Sequence, residues 1–196
     1  MIVGITGATG AIYGVKLLER LREQEVPSHL ILSTWGKRTI EHETSYTAAQ
    51  VRDLATTVEG FNNLASTISS GSFKTAGMVV APCSVKTLAS ISVGLADNLI
   101  SRAADVVLKE RRPLVLMVRE SPLNQIHLEN MLRLAKMGVV VMPPVPAFYN
   151  QPASIDELVD YTVARALDQL DLPAPWADDG RWDGKMRRDV DDANGG

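Results

Sequence analysis

The chain has 196 residues, 45% of them hydrophobic and 22% charged, a length and balance that fit one globular domain with a sizeable core. A net charge of −3 leaves no basic footprint for nucleic acid, and no apolar run approaches the ~18 residues of a membrane span. The single cysteine, Cys83, excludes an internal disulfide, and His29, His42 and His127 have no zinc-type spacing around it. No basic segment precedes the first apolar run, so the expected location is cytoplasmic, without a signal peptide.

Residues 2–6 (IVGIT) read as a buried strand, Gly7-Ala8-Thr9-Gly10 as a tight turn, and the following stretch to about Glu25 as a helix with Ile12, Val15, Leu17, Leu18 and Leu21 facing a sheet. Such a turn leaves backbone N–H groups at a helix N-terminus, which suits a phosphate; a bare βα turn is the plain alternative. The spacing Gly7-x-x-Gly10-x-x-x-Gly14 departs from the dinucleotide fingerprint. Ser33 and Thr34 stand where a ribose-binding carboxylate would, so NAD is disfavoured.

Residues 29–33 form the next strand, with helical segments over 36–43 and 48–56. Residues 57–75 are irregular and polar, as fits a functional loop or a plain surface excursion. Residues 77–81 are a third strand, followed by an apolar helix over 88–93 and another over 98–110. Residues 114–118 are a fourth strand, and residues 123–136 a helix with Leu128, Met131, Leu132 and Ala135 on one face. Residues 139–142 are a fifth strand, and a proline-rich turn leads to a last helix, N-capped by Ser154 with Glu157 at the third position, that ends near Leu170. Continuous apolar strands alternating with helices mean a parallel sheet covered on both faces. Beyond Pro173 the chain turns polar, with Trp176 and Trp182. A partly disordered tail, or one docked on this chain or a neighbouring subunit, is expected there.

In such sheets ligands lie beyond the carboxyl ends of the strands. Thr9 and Gly10, Ser33, Ser84 to Thr87, Arg119 and Glu120, and Tyr149 all fall at or after those ends. Ser84-x-x-Thr87 opens a helix and is either an N-cap or a second anion site. Arg119 can hold a phosphate bidentately and Glu120 can move a proton, or the two form an ion pair. Lys109 reads as a helix-dipole partner, Tyr149 as packing and Arg165 as a solvated face residue. There is no P-loop, no Gly-x-Ser-x-Gly elbow and no Asp-Asp-x-x-Asp cluster of the kind that holds magnesium on a prenyl diphosphate.

The segments ITGATGAIYG, ISSGSF, APCSVKTLASI, RAADVVLKERRPLVLMVRESPL, IHLENML and MPPVPAFYNQP occur in this order. Together they resemble the UbiX/Pad family of flavin prenyltransferases over roughly residues 1–171. The resemblance implies an α/β fold, a three-layer Rossmann-like or flavodoxin-like parallel sheet with helices on both faces. The FMN-binding flavin prenyltransferase domain would span residues 1–172 and the tail residues 173–196. The implied reaction joins the dimethylallyl group of dimethylallyl monophosphate to N5 and C6 of reduced FMN, without a metal. The prenylated FMN would pass to a UbiD-type decarboxylase. A homododecamer with sites at subunit interfaces is implied as well.

By the same resemblance, FMN contacts fall on Ala8, Thr9, Gly10, Ser33, Ser84, Val85, Lys86, Thr87 and Arg119. Prenyl phosphate contacts fall on Lys109, Arg119, Tyr149 and Arg165, some from adjacent chains. Glu120 matches the acidic residue for proton transfer, Glu43 a second acidic site residue, and Trp182 an aromatic that shields the site. Thr9 stands where many relatives have serine, which makes it a catalytic position whose added methyl group changes its reach. Trp35 resembles the branch described as small subunits of hydroxyarylic acid decarboxylases. That branch concerns the partner and not the reaction; an FMN-binding small subunit or carrier supporting a hydroxyarylic acid decarboxylase is the separate alternative function. A flavin-dependent cysteine decarboxylase of the same fold is disfavoured because residues 82–87 read PCSVKT instead of a Pro-x-Ala-Asn-type motif.

Overall fold

The computed structural model describes residues 1–180. Its six strands are β1 (Ile2–Ile5), β2 (His29–Leu32), β3 (Thr57–Glu59), β4 (Met78–Cys83), β5 (Leu114–Val118) and β6 (Val140–Val141). They form one all-parallel sheet in the order β3-β2-β1-β4-β5-β6. The helices are α1 (Ala11–Glu23), α2 (Thr34–Glu43), α3 (Ala48–Asp53), α4 (Val85–Ser92), α5 (Leu99–Lys109), α6 (Gln125–Lys136) and α7 (Ile155–Asp168).

Alternation along each strand divides the side chains between two cores. Val3, Ile5, Leu30, Val79, Ala81, Val115 and Met117 pack with α1 and α7 on one face. Ile2, Ile31, Met78, Val80, Leu116 and Val118 pack with α4 and α5 on the other. The result is the expected three-layer parallel architecture. Chain order reverses between β1 and β4, so the switch point lies at their carboxyl ends, where open α/β sheets bind ligands.

Three elements differ from the sequence reading. The polar stretch after Asp53 contains a real strand, β3, at the sheet's edge. Thr-Val-Glu has no apolar run to announce it. The strand is held instead by polar pairing, with Ser28 and Thr56 exchanging backbone-to-hydroxyl bonds and His29 Nδ1 standing 3.0 Å from Glu59. The α6 stripe does not all face the core. Of Leu128, Met131, Leu132 and Ala135 only Met131 is half-buried; Leu128 and Leu132 are 52% and 56% exposed, Ala135 is exposed, and the buried residue of the helix is Leu134, outside that stripe. At α7 the Ser154 hydroxyl caps the Glu157 N–H, but the Glu157 carboxylate accepts from Ala153 instead of Ser154. Among the described residues no helix is long and apolar enough to cross a membrane.

Candidate active site

Three helices, α1, α2 and α4, start at the switch-point edge, and the sequence equips each start differently. At α1, Gly10 takes φ +91°, a conformation a side chain would strain. Gly14 lets the helix settle on the sheet, since a Cβ there would lie 2.3 Å from the Ala81 carbonyl oxygen. The phosphate expected at this turn is replaced by the chain's own carboxylate. Glu43 Oε2 accepts from the N–H groups of Gly10 at 2.7 Å and Ala11 at 3.2 Å. The turn is an anion site, as its N–H groups demand, but its anion is internal.

At α2 the Ser33 hydroxyl accepts from the Gly36 N–H at 2.9 Å. At α4 the Ser84 hydroxyl accepts from the Thr87 N–H at 3.3 Å and donates to the Thr87 hydroxyl at 3.1 Å. Helix geometry gives the N–H groups of Val85 and Lys86, in the first turn, no carbonyl partner within the helix. The start of α4 is tied to the end of β1 through Thr6, which is 2% exposed. The Thr6 hydroxyl donates to the Pro82 carbonyl at 2.7 Å and accepts from the Ser84 N–H at 2.8 Å.

A cavity of about 690 Å³ opens over these ends. Of the residues expected in the site, Ala8, Thr9, Ser33 and Ser84 line it, and so do Val85, Lys86, Thr87, Arg119 and Glu120. A second cavity of about 750 Å³ adjoins it, with Leu123, Pro143, Val145 and Tyr13 on its walls. Gly10 lines this second cavity, and Thr9, Arg119 and Glu120 line both. Arg119 and Glu120 follow β5 directly and are exposed. They do not form the ion pair that was the plain alternative. Glu120 accepts from the Ser121 N–H at 3.0 Å, and the Arg119 guanidinium has no partner among the described residues.

Sequence reasoning missed Thr6, Phe61, Ser90 and Asn98 on the first cavity, and it noted Trp35 only as a branch marker. Two of these carried a signal. Thr6 is a hydroxyl at a strand's last position before a glycine turn, and Ser90 lies three residues after Thr87 on one helix. Phe61 comes from the irregular stretch, where local pattern carries no information.

Other expected residues stay apart from both cavities within one chain. Lys109 Nζ pairs with Glu110 at 2.5 Å and Arg165 with Asp168 at 2.6 Å. The Tyr149 hydroxyl is hydrogen-bonded to that of Tyr161. Trp182 lies outside the described residues. Trp176 packs on this chain's own surface, with the Arg20 guanidinium 4.7 Å from its ring centre. Complete burial pushes the Cys83 thiol up to about 12, so it is a packing residue and not a nucleophile near neutral pH. Burial also raises the Tyr13 phenol. Among the described residues no three His, Cys, Asp or Glu side chains gather as a metal site.

The chain resembles several characterised proteins. The family model described as Flavoprotein matches residues 1–167. A Bacillus subtilis (strain 168) protein, a probable UbiX-like flavin prenyltransferase, is 58% identical over 184 residues, covering 94% of this chain and 89% of its own length. The crystal structure of AnUbiX (PadA1) in complex with FMN and dimethylallyl pyrophosphate matches with a TM-score of 0.91 and 51% identity, over 94% of this chain and 97% of that one. A dodecameric FMN-dependent UbiX-like decarboxylase from Escherichia coli O157:H7 matches with a TM-score of 0.90 and 58% identity, over 93% and 98% of the two chains.

Proposed function

This chain belongs to the flavoprotein family, among its UbiX-like flavin prenyltransferases, and from that membership we propose how its own residues carry out the reaction. The enzyme joins the dimethylallyl group of dimethylallyl monophosphate to N5 and C6 of reduced FMN. The observation that carries this reading is the meeting of two cavities at one partition, formed by Thr9, Arg119 and Glu120.

The cavity over the start of α4 fits FMN. Its 690 Å³ lies within the range of about 300–1,000 Å³ usual for ligand pockets. The start of α4 offers the phosphate the N–H groups of Val85 and Lys86 together with the Ser84 and Thr87 hydroxyls, and Ser33 adds the start of α2. Reduced FMN, when bound, supplies the nucleophilic nitrogen and carbon. The chain supplies the rest. Arg119 brings an unpaired cation to the partition, where it holds phosphate charge as the allylic C–O bond breaks. Leu123, Pro143 and Val145 keep water from the allylic carbon. Glu120 moves the proton released as the ring closes, and the Thr9 hydroxyl orients the reacting groups. Glu43 contributes by holding the turn that carries Thr9, through Gly10 and Ala11.

Lys109, Tyr149 and Arg165 complete the prenyl phosphate site from neighbouring copies in a homododecamer, and Trp182 shields it. The apolar side of α6, with Leu128 and Leu132 52% and 56% exposed, supports burial between copies. Residues 1–172 form the flavin domain, and residues 173–196 are a tail whose first turn packs on α7. The enzyme works in the cytoplasm and hands its product to a UbiD-type decarboxylase. The carrier reading would leave the apolar second cavity and the unpaired Arg119 without work.

Anaerobic incubation with reduced FMN and dimethylallyl monophosphate, followed by mass spectrometry of the flavin, tests the proposal. A flavin heavier by one C5H8 unit is expected. Bound but unmodified FMN would overturn the transferase reading in favour of the carrier.

A further inference from the structure

We propose that Thr6 is a positioning residue for the phosphate of FMN, acting through Ser84 on the donor direction of Thr87. The inference rests on the placement of that phosphate at the start of α4. A threonine hydroxyl has one proton and two lone pairs. Thr6 commits its proton to the Pro82 carbonyl at 2.7 Å, so a lone pair is left to face the Ser84 N–H, 2.8 Å away. The side chain is 2% exposed, and no solvent competes for either bond. The Thr6 N–H, 3.3 Å from the same Pro82 carbonyl, locks the backbone on the other side.

The consequence propagates along the cradle. The Ser84 N–H is occupied by Thr6 and withheld from any ligand. The Ser84 hydroxyl accepts from the Thr87 N–H and donates its one proton to the Thr87 hydroxyl oxygen. The Thr87 hydroxyl proton is then the one left over, on a residue that lines the cavity. Each bond in this chain fixes the direction of the next, from the last residue of the β1 run to a donor aimed at an anion. A β-branched apolar residue of equal size at position 6 would keep the packing and lose the direction. It would also free the Ser84 N–H to turn.

The Thr6→Val enzyme tests this. It should raise KM for reduced FMN by about tenfold, the scale of one lost hydrogen bond to a charged group. KM for dimethylallyl monophosphate should stay within about twofold of the parent value. Thr6→Ser should restore the FMN value, because it keeps the hydroxyl. Should Thr6→Val fail to fold, Thr6→Ala, which also removes the hydroxyl, is read the same way. Equal rises in both KM values, no rise in either, or no recovery with serine would each overturn the role. Ser84→Ala separates the two levels. If it raises KM for FMN while Thr6→Val does not, only the Thr6 assignment fails. If neither does, the placement of the phosphate at α4 fails with it.

Discussion

The starts of α1 and α4 stand on opposite faces of the sheet on either side of its switch point, and they treat the same chemical problem differently. Each helix begins with N–H groups that lack a carbonyl partner and with the positive end of its dipole. At α1 these are answered by Glu43, a residue 32 to 33 positions away that is brought back by the last turn of α2. At α4 they are answered only by short hydroxyls, while Lys86 and the unpaired Arg119 add positive charge to the cavity beside it. One start is internally neutralised and rigid, and the other is left electropositive for a ligand. A glycine-rich turn is thus evidence for an anion but does not say whose anion it is.

The sharpest way to break the contrast is on the open side. Arg119→Ala removes the cation from the partition and should lower kcat/KM by about 10²–10³, the scale of removing one preorganised charge-stabilising donor. Steady-state assay of product flavin checks this, and a loss below about tenfold would place the phosphate charge elsewhere. On the filled side the expected effects fall on stability. Gly14→Ala forces a Cβ into the Ala81 carbonyl and Ile5, and should cost about 1–3 kcal/mol. Thermal unfolding should show it as a drop of about 2–4 °C per kcal/mol for a chain of this size. Glu43→Gln keeps an acceptor for Gly10 and Ala11 but removes the charge, and should lower Tm by only about 1–3 °C. Added sulfate should stabilise Glu43→Ala more than the parent, because the vacated helix start regains an anion. Equal stabilisation of both proteins would show that Glu43 does not fill an anion site.

Much of the fold was legible because its signals are local. The runs at 2–6, 29–33 and 114–118 are continuous and apolar, as strands buried on both faces must be, and they appear as β1, β2 and β5 with ends shifted by one residue at most. β3 was not legible, since an edge strand held to β2 through Ser28–Thr56 and His29–Glu59 carries no apolar run to announce it. The α6 stripe has the right period for a helix, but periodicity does not say whether the apolar side meets this chain's core or another surface. At the site, Ser84, Thr87, Arg119 and Glu120 were legible because strand ends converge in a parallel sheet. Phe61 and Asn98 were not, because they reach the cavity from connections whose path depends on the packing beneath them.

By itself the sequence determined the layer architecture, the edge at which ligands bind and the family whose ordered motifs it bears. Those follow from periodicity and from residue types at strand ends, which are properties of neighbours along the chain. Only the tertiary structure decided that Glu43 fills the first turn, that Arg119 lines both cavities, and that Thr6 fastens β1 to the start of α4. Glu43 and Thr6 each join residues far apart in sequence through a bond of 2.7 or 2.8 Å. Which of several suitable groups makes that bond is settled by how helices and strands pack, and no local pattern records it.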